Sequence, residues 1–119
     1  MPELGMITFD TSNALELSQW WSEQLGGEIV EENDGYFCIL KAPALPVPLA
    51  FQLVPDPTQG KNRVHLDLVA TAAEGGREPA VAKFIAGGAS LVSQQNIDGF
   101  AWDVLHDPHG NIFCVSDPH

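Results

Sequence analysis

Positive charge is what this chain has least of. Five Lys and Arg stand against 16 Asp and Glu in 119 residues, a formal net charge of −11. Such a surface repels phosphate backbones and anionic headgroups, so neither nucleic acid nor membrane is expected as a partner. Long apolar runs are scarce as well. The longest mostly apolar stretch, Ala42 to Leu53, is broken by prolines at 43, 46 and 48, far from the ~20 uninterrupted residues of a spanning helix. The opening MPELGMITFD holds no basic segment followed by an apolar one, and the expectation from that is a cytoplasmic protein. The two cysteines, Cys38 and Cys114, are far apart with no CxxC, which argues for reduced thiols over a disulfide framework or a zinc ribbon. No GxGxxG follows a strand, and no P-loop, GxSxG or HExxH occurs. Dinucleotide binding, nucleotide hydrolysis and nucleophile-elbow acyl transfer therefore have nothing to support them.

What is present is enough apolar material, 45% of residues against 18% charged, to offset the ordering entropy of one folded domain. The chain also repeats itself. ITFD (7–10) returns as VHLD (64–67), LGGEIV (25–30) as AGGASLV (86–92), NDGYFCIL (33–40) as DGFAWDVL (98–105), and LAFQLV (49–54) as NIFCVS (111–116). Four blocks in one order indicate two copies of a supersecondary unit. The seam falls at PDPTQGKN, residues 55–62, whose Pro, Gly and Asp mark a connector. In the first copy, alternation over 6–11 predicts a strand, and Leu15, Leu17, Trp20, Trp21 and Leu25, closed by Gly26-Gly27, predict a helix starting at Asn13. Residues 28–32, 36–41 and 49–54 read as three further strands, and the second copy repeats the order with strand 63–70, helix 77–86 and strands 89–94, 99–105 and 111–116. The expected class is α+β: one domain over 1–119 made of tandem βαβββ modules, about 5–55 and about 62–117, whose curved mixed sheets surround a cavity.

Strand alternation assigns the lining of that space. Leu66 and Leu68 belong under the helix, which turns His65 and Asp67 inward; Phe51 and Leu53 belong under it and turn Gln52 inward; Phe113 and Val115 leave Cys114 facing in; Ile7 and Phe9 put Met6, Thr8 and Asp10 on the inner face.

Together the WWSEQLGG helix end, the AFQ strand, KNRVHLDL and DPHGNIFC resemble the glyoxalase, bleomycin-resistance and extradiol-dioxygenase superfamily, the vicinal oxygen chelate proteins, and most specifically their small glyoxalase-like domains. The resemblance covers nearly the whole chain, and the last two motifs carry most of it. It implies a paired βαβββ fold. In metal-dependent members one inward side chain from each of four strands, usually His or Gln, Glu, His and Glu, ligates a divalent ion that holds two substrate oxygens as a Lewis acid. Carried over, His65 takes the third position with its imidazole kept. Gln52 takes the second in place of Glu, Cys114 the fourth in place of Glu, and the first falls on Met6 or Thr8 according to register. A hard-ion site is then broken at two or three corners, leaving either no cofactor or a weakly bound divalent metal at His65 and Gln52.

The candidate ligand-binding residues are Thr8, Asp10, Gln52, His65, Asp67, Trp102 and Cys114, with His65 also the candidate catalytic base. Each has a plainer reading: a hydrogen-bonded structural histidine, an orienting glutamine, a thiol packed as a small hydrophobe, a solvated carboxylate at Asp67, and a Trp102 that is core or pocket wall. His106 and His109 flank a turn through Asp107-Pro108 and Gly110-Asn111, and turn chemistry accounts for them. The functional expectation is binding of a small organic molecule between the modules, with lyase or isomerase chemistry left open. The alternative is metal-free sequestration of an antibiotic or metabolite, as bleomycin-resistance proteins do. The resemblance also implies a homodimer, and whether modules pair within or between chains depends on residues 55–62.

Overall fold

The computed structural model describes residues 1–119 and divides into two compact units, 1–58 and 59–119, with the boundary inside the predicted connector. In the first unit β1 (Ile7–Thr11), α1 (Ala14–Leu25), β2 (Glu28–Glu31), β3 (Phe37–Lys41) and β4 (Leu49–Leu53) follow in order. In the second come β5 (Leu66–Val69), α2 (Arg77–Ala86), β6 (Ser90–Ile97), β7 (Phe100–His106) and β8 (Ile112–Ser116). Each unit is a four-stranded open sheet, ordered β1-β4-β3-β2 and β5-β8-β7-β6. One parallel pair, β1 with β4 or β5 with β8, sits at the edge, and the other pairings are antiparallel. The duplication read from the sequence is therefore a duplication of topology.

Helix α1 begins where the Asn13 side chain accepts a hydrogen bond from the Glu16 N–H at 3.1 Å, filling one of the donors a helix start leaves open. It ends at Gly26, left-handed at φ 63°, a conformation cheap only for glycine. The next residue is small for another reason: a Cβ on Gly27 would stand 2.6 Å from the Lys41 carbonyl oxygen. The buried stripe of α1 is Ala14, Leu17, Ser18 and Trp21, the i, i+3/i+4 face. It is shifted from the one expected: Leu15, Trp20 and Leu25 are only half-buried, and Ser18 joins the core because its hydroxyl donates to the Leu15 carbonyl at 3.0 Å.

Two other expectations need correction. Leu53 does not sit under the helix; it is exposed at the end of β4, beyond the helix cover. The two hairpins are also unequal. Matching NDGYFCIL to DGFAWDVL aligns their turns, but the ladders pair Cys38 with Phe51 and Leu105, not Trp102, with Phe113. The β6–β7 hairpin therefore runs past the length of its counterpart, β6 having 8 residues where β2 has 4. That extension carries Phe100, Trp102 and Asp103.

The acidic surplus is mostly solvated, with two exceptions. Asp107 is buried and its carboxylate accepts from the backbone N–H groups of His109 and Asn111 and from the Asn111 amide, at 2.9 to 3.0 Å, which builds the turn before β8. Asp103 is buried on the helix side of β7 and paired to Arg77 at the start of α2. The same guanidinium donates through Nε to Asp117 at 2.9 Å, and Asp117 also accepts from the Ala101 N–H at 2.8 Å. One arginine thus ties helix, sheet and C-terminal segment of the second module.

Removing that arginine leaves the Asp103 carboxylate buried without its cation, and such a loss costs about 3 kcal/mol; urea denaturation of Arg77→Met at pH 7 measures it. The Ala101 N–H, and after it the guanidinium, hold the Asp117 carboxyl below its usual range. A lowered folded-state pKa gives stability that is present above the unfolded value, ~4, and lost as pH falls through the folded one. Wild-type stability is expected to drop between pH 5 and pH 2, and Asp117→Asn to flatten that acid limb; equal acid limbs in the two proteins would contradict the assignment.

Candidate functional site

The site is built by one strand pairing. Alternation along β5 sends Leu66 and Leu68 toward the helix and leaves Asp67 and Val69 exposed on the opposite face, and His65, just ahead of the strand, shares their side. In the parallel register Asp67 stands directly opposite Cys114. Asn62 fixes this register from outside the ladder. Its amide oxygen accepts from the Ile112 N–H at 2.7 Å while its nitrogen donates to the Ile112 and Val64 carbonyls at 3.0 and 2.7 Å, so a side chain does the work of a ladder residue.

The result is a hollow of about 860 Å3 on the second module. Its apolar wall comes from Val69, Val92, Val104, Ile112, Phe100 and Trp102, and its polar groups from His65, Asp67, Cys114, Ser93, Gln95 and Lys61. Val92 and Ser93 both face in because the β6–β7 ladder slips between Leu91 and Ser93, an extra residue of the β-bulge kind. Phe100 contacts Trp102 at 6.2 Å between ring centroids and His119 edge-on at 5.3 Å, so the lengthened hairpin supplies an aromatic rim.

At the polar end Nδ1 of His65 lies 2.7 Å from Oδ1 of Asp67. An ionised carboxylate only accepts, so Nδ1 is the donor of this pair, and in the neutral form of the ring the lone pair is then on Nε2. Burial pushes the Cys114 thiol up from its ordinary pKa; the Asp67 charge and an S–H hydrogen bond to that carboxylate add to the rise, and Lys61 opposes it. The group is held as a thiol, which disfavours nucleophilic use.

Of the residues singled out from sequence, His65, Asp67, Trp102 and Cys114 come together here. Thr8, Asp10 and Gln52 lie on the first module, Asp10 opposite Gln52 and Thr8 opposite Ala50 in the β1–β4 register, on the face of that sheet turned from α1, and none of the three lines this hollow. Met6 precedes β1 and is exposed. Sequence reasoning missed Lys61, Gln95, Phe100 and Val92. Phe100 alternates with Trp102 along β7, a period-2 signal available in the sequence, whereas the bulge that turns Val92 inward leaves no such mark.

The sequence model of the glyoxalase-like domain family matches residues 6–116. The chain belongs to that family, within the vicinal oxygen chelate superfamily. Solved structures agree on the fold. A glyoxalase/bleomycin resistance protein/dioxygenase family enzyme from Burkholderia phytofirmans superposes with a TM-score of 0.78 at 20% identity, over 97% of this chain and 98% of that one. A glyoxalase-related enzyme from Fulvimarina pelagi gives 0.76 at 17%, over 98% and 88%. A variant of the fosfomycin resistance protein FosX from Listeria monocytogenes, complexed with manganese(II) and a dihydroxypropylphosphonic acid, gives 0.77 at 11%, over 100% and 92%. No curated protein matches the sequence.

The superfamily's divalent ion can be tested against the donors of this glyoxalase-like chain. A hard ion wants carboxylate oxygens. The matching positions here hold Thr8 or Met6, Gln52, His65 and Cys114, one imidazole and no carboxylate, so they do not fit a magnesium or manganese site. The groups that do converge are His65, Asp67 and Cys114, whose ligand atoms lie within 4.8 Å of one another.

Because Asp67 helps keep the thiol protonated, Asp67→Asn is expected to speed alkylation of Cys114 by iodoacetamide at pH 8 about threefold or more, since even half a pKa unit is that large a change in thiolate. Peptide mass spectrometry reads the rate, with fully buried Cys38 as internal reference. An unchanged or slower rate would contradict the electrostatic assignment.

Proposed function

We propose that the protein binds a small organic molecule in the hollow of its second module, with the apolar body against Phe100 and Trp102 and a polar or cationic group at His65 and Asp67. The observation that carries this is the hollow itself, which joins an aliphatic and aromatic wall to a few convergent polar groups, the usual build of a ligand site. The open carboxylate of Asp67, 68% exposed, and the net charge of −11 favour cations over anions. An aromatic face beside a carboxylate is a suitable place for an alkylammonium or a protonated heterocycle.

On this reading the chain sequesters its ligand without chemical change. A second reading, a lyase or isomerase, is favoured by one feature: the carboxylate that holds the Nδ1 proton of His65 leaves Nε2 as an acceptor. Such a group can take a proton from a carbon beside a carbonyl and return it to a neighbouring atom. Only the chain's own residues are needed for that transfer, with Gln95 and Ser93 available to orient oxygens of the substrate. We further propose that the protein is a homodimer working in the cytoplasm. Support comes from the free thiols of Cys38 and Cys114, the form a reducing compartment maintains, and from exposed apolar side chains on the edge strand β6, Leu91, Val92 and Ile97.

Calorimetric titration of metal-free protein against a panel of aromatic amines and carboxylates tests the binding reading. At least one amine is expected to bind, and Trp102→Ala and His65→Ala each to weaken it about tenfold or more, the effect of losing a well-packed anchor. Heats absent across the panel for folded protein, or unaffected by both substitutions, would contradict it. If NMR of the bound ligand shows conversion that His65→Ala abolishes while the fold survives, the enzymatic reading replaces sequestration.

A further inference from the structure

Two opposite charges share the hollow without neutralising each other. Lys61 and Asp67 both line it, yet Asp67 is paired with His65, and Lys61 makes no ion pair or hydrogen bond. We propose that the hollow selects an aromatic zwitterion, with its ring against Phe100 and Trp102, its ammonium at Asp67 and its carboxylate at Lys61. The proposal rests on the small-molecule reading above and narrows it from cations in general to aromatic amino-carboxylates.

The placement of positive charge carries the first step. The chain has only five Lys and Arg. Arg77 is committed to Asp103 and Asp117, Lys41 ends β3 of the first module, and Lys83 lies in the last turn of α2. That leaves Lys61 and Arg63, two residues apart on the approach to β5, and of these Lys61 lines the hollow. Its backbone neighbour is fixed, because the Asn62 side chain is hydrogen-bonded to Ile112 in both directions. Lys61 and Asp67 also act with opposite sign on one thiol, that of Cys114, so both charges stand at the polar end of the hollow.

The second step is what such a pair prefers. Lys61 and Asp67 together carry no net charge and match a ligand that carries none. A dipolar ligand laid against them gains at both ends, whereas a simple amine leaves the ammonium of Lys61 uncompensated and a simple acid leaves Asp67 so. The surrounding charge of −11 repels free anions, so a ligand carboxylate needs a dedicated cation, and a lysine supplies one as a mobile point charge. Discrimination then comes from the repulsive partner as much as from the attractive one. Asp67 has the capacity for its share: Oδ1 accepts from His65 at 2.7 Å, a carboxylate offers about four acceptor positions, and its side chain is largely open to solvent.

Calorimetry of the full chain at pH 7 compares three probes with one ring system: tryptophan, tryptamine and indole-3-propionate. Tryptophan is expected to bind about fivefold or more tightly than either singly charged analogue, the upper range for one solvent-accessible ion pair, and to lose that advantage as salt screens it. Lys61→Met is expected to tighten tryptamine and abolish the preference for tryptophan over it. Asp67→Asn keeps an acceptor for His65 and is expected to abolish the preference over indole-3-propionate. Lys83→Met, a cation removed outside the hollow, is expected to change neither ratio. Circular dichroism checks folding, and should Asp67→Asn not fold, Lys61→Met and the salt series decide alone. Tryptamine bound as tightly as tryptophan, or a preference that survives Lys61→Met or follows Lys83→Met, would overturn the zwitterion proposal and leave the cation reading standing. Silence of all three probes overturns the proposal alone if another amine of the wider panel binds, and overturns both readings if none does. Indole-3-propionate bound most tightly would also overturn both.

Discussion

The parallel pairing of β5 with β8 is the constraint on which the chemistry depends. It joins the first and last strands of the second module, 48 residues apart where the Ser116 hydroxyl meets the Leu68 carbonyl, so it forms only when the whole βαβββ unit has closed. A strand has period 2, and a slip of one residue would send Asp67 to the helix side if β5 moved, or replace Cys114 with a phenylalanine or a valine in the hollow if β8 moved. The sequence guards against this slip twice. Leu66 and Leu68 sit on the helix side with Phe113, whose ring meets Phe84 of α2 at 5.1 Å, and Asn62 locks the entry to β8 by hydrogen bonds in both directions.

The two modules share a topology and differ in what they do with it. In the first, the short β2–β3 hairpin ends in a tight turn with Asn33 and Asp34 at positive φ, and the sheet face away from α1 presents Thr8, Asp10 and Gln52. In the second, the longer hairpin extends the sheet, raises Phe100 and Trp102 as a wall, and places Asp103 where Arg77 holds it. Stability and site are thus separated across the same strand: Asp103 faces the helix and anchors it, while Trp102 and Val104 face the hollow. The two sheets share one strand order, and the longer β6–β7 hairpin carries Phe100 and Trp102 into the wall of the second module's hollow.

Most of the architecture was legible because it is periodic. Alternation at Ile7–Thr11 and Leu66–Val69, Asn13 before α1 and the Gly-Gly stops each have a local cause that survives into the fold. The inward placement of His65, Asp67 and Cys114 was legible for the same reason. What escaped depends on pairing between distant segments. The string match of the two hairpins aligned their turns, and nothing local reveals that β6–β7 carries a longer ladder. A net charge of −11 gave no sign that two of its carboxylates are buried, because Arg77 lies 26 residues from Asp103 and the donors to Asp107 are mostly backbone. The shifted stripe of α1 has the same origin: a serine that satisfies its hydroxyl within its own helix can enter the core.

The claim at the centre is that backbone register, before any ligand or ion, brings Asp67 beside Cys114. A side-chain nuclear Overhauser measurement on isotope-labelled, metal-free protein reads this directly. The account predicts a cross-peak between the Hβ protons of Asp67 and those of Cys114, and none between Asp67 and Phe113. A cross-peak from Asp67 to the Phe113 ring, with none to Cys114, would mean a ladder slipped by one residue and would contradict the account.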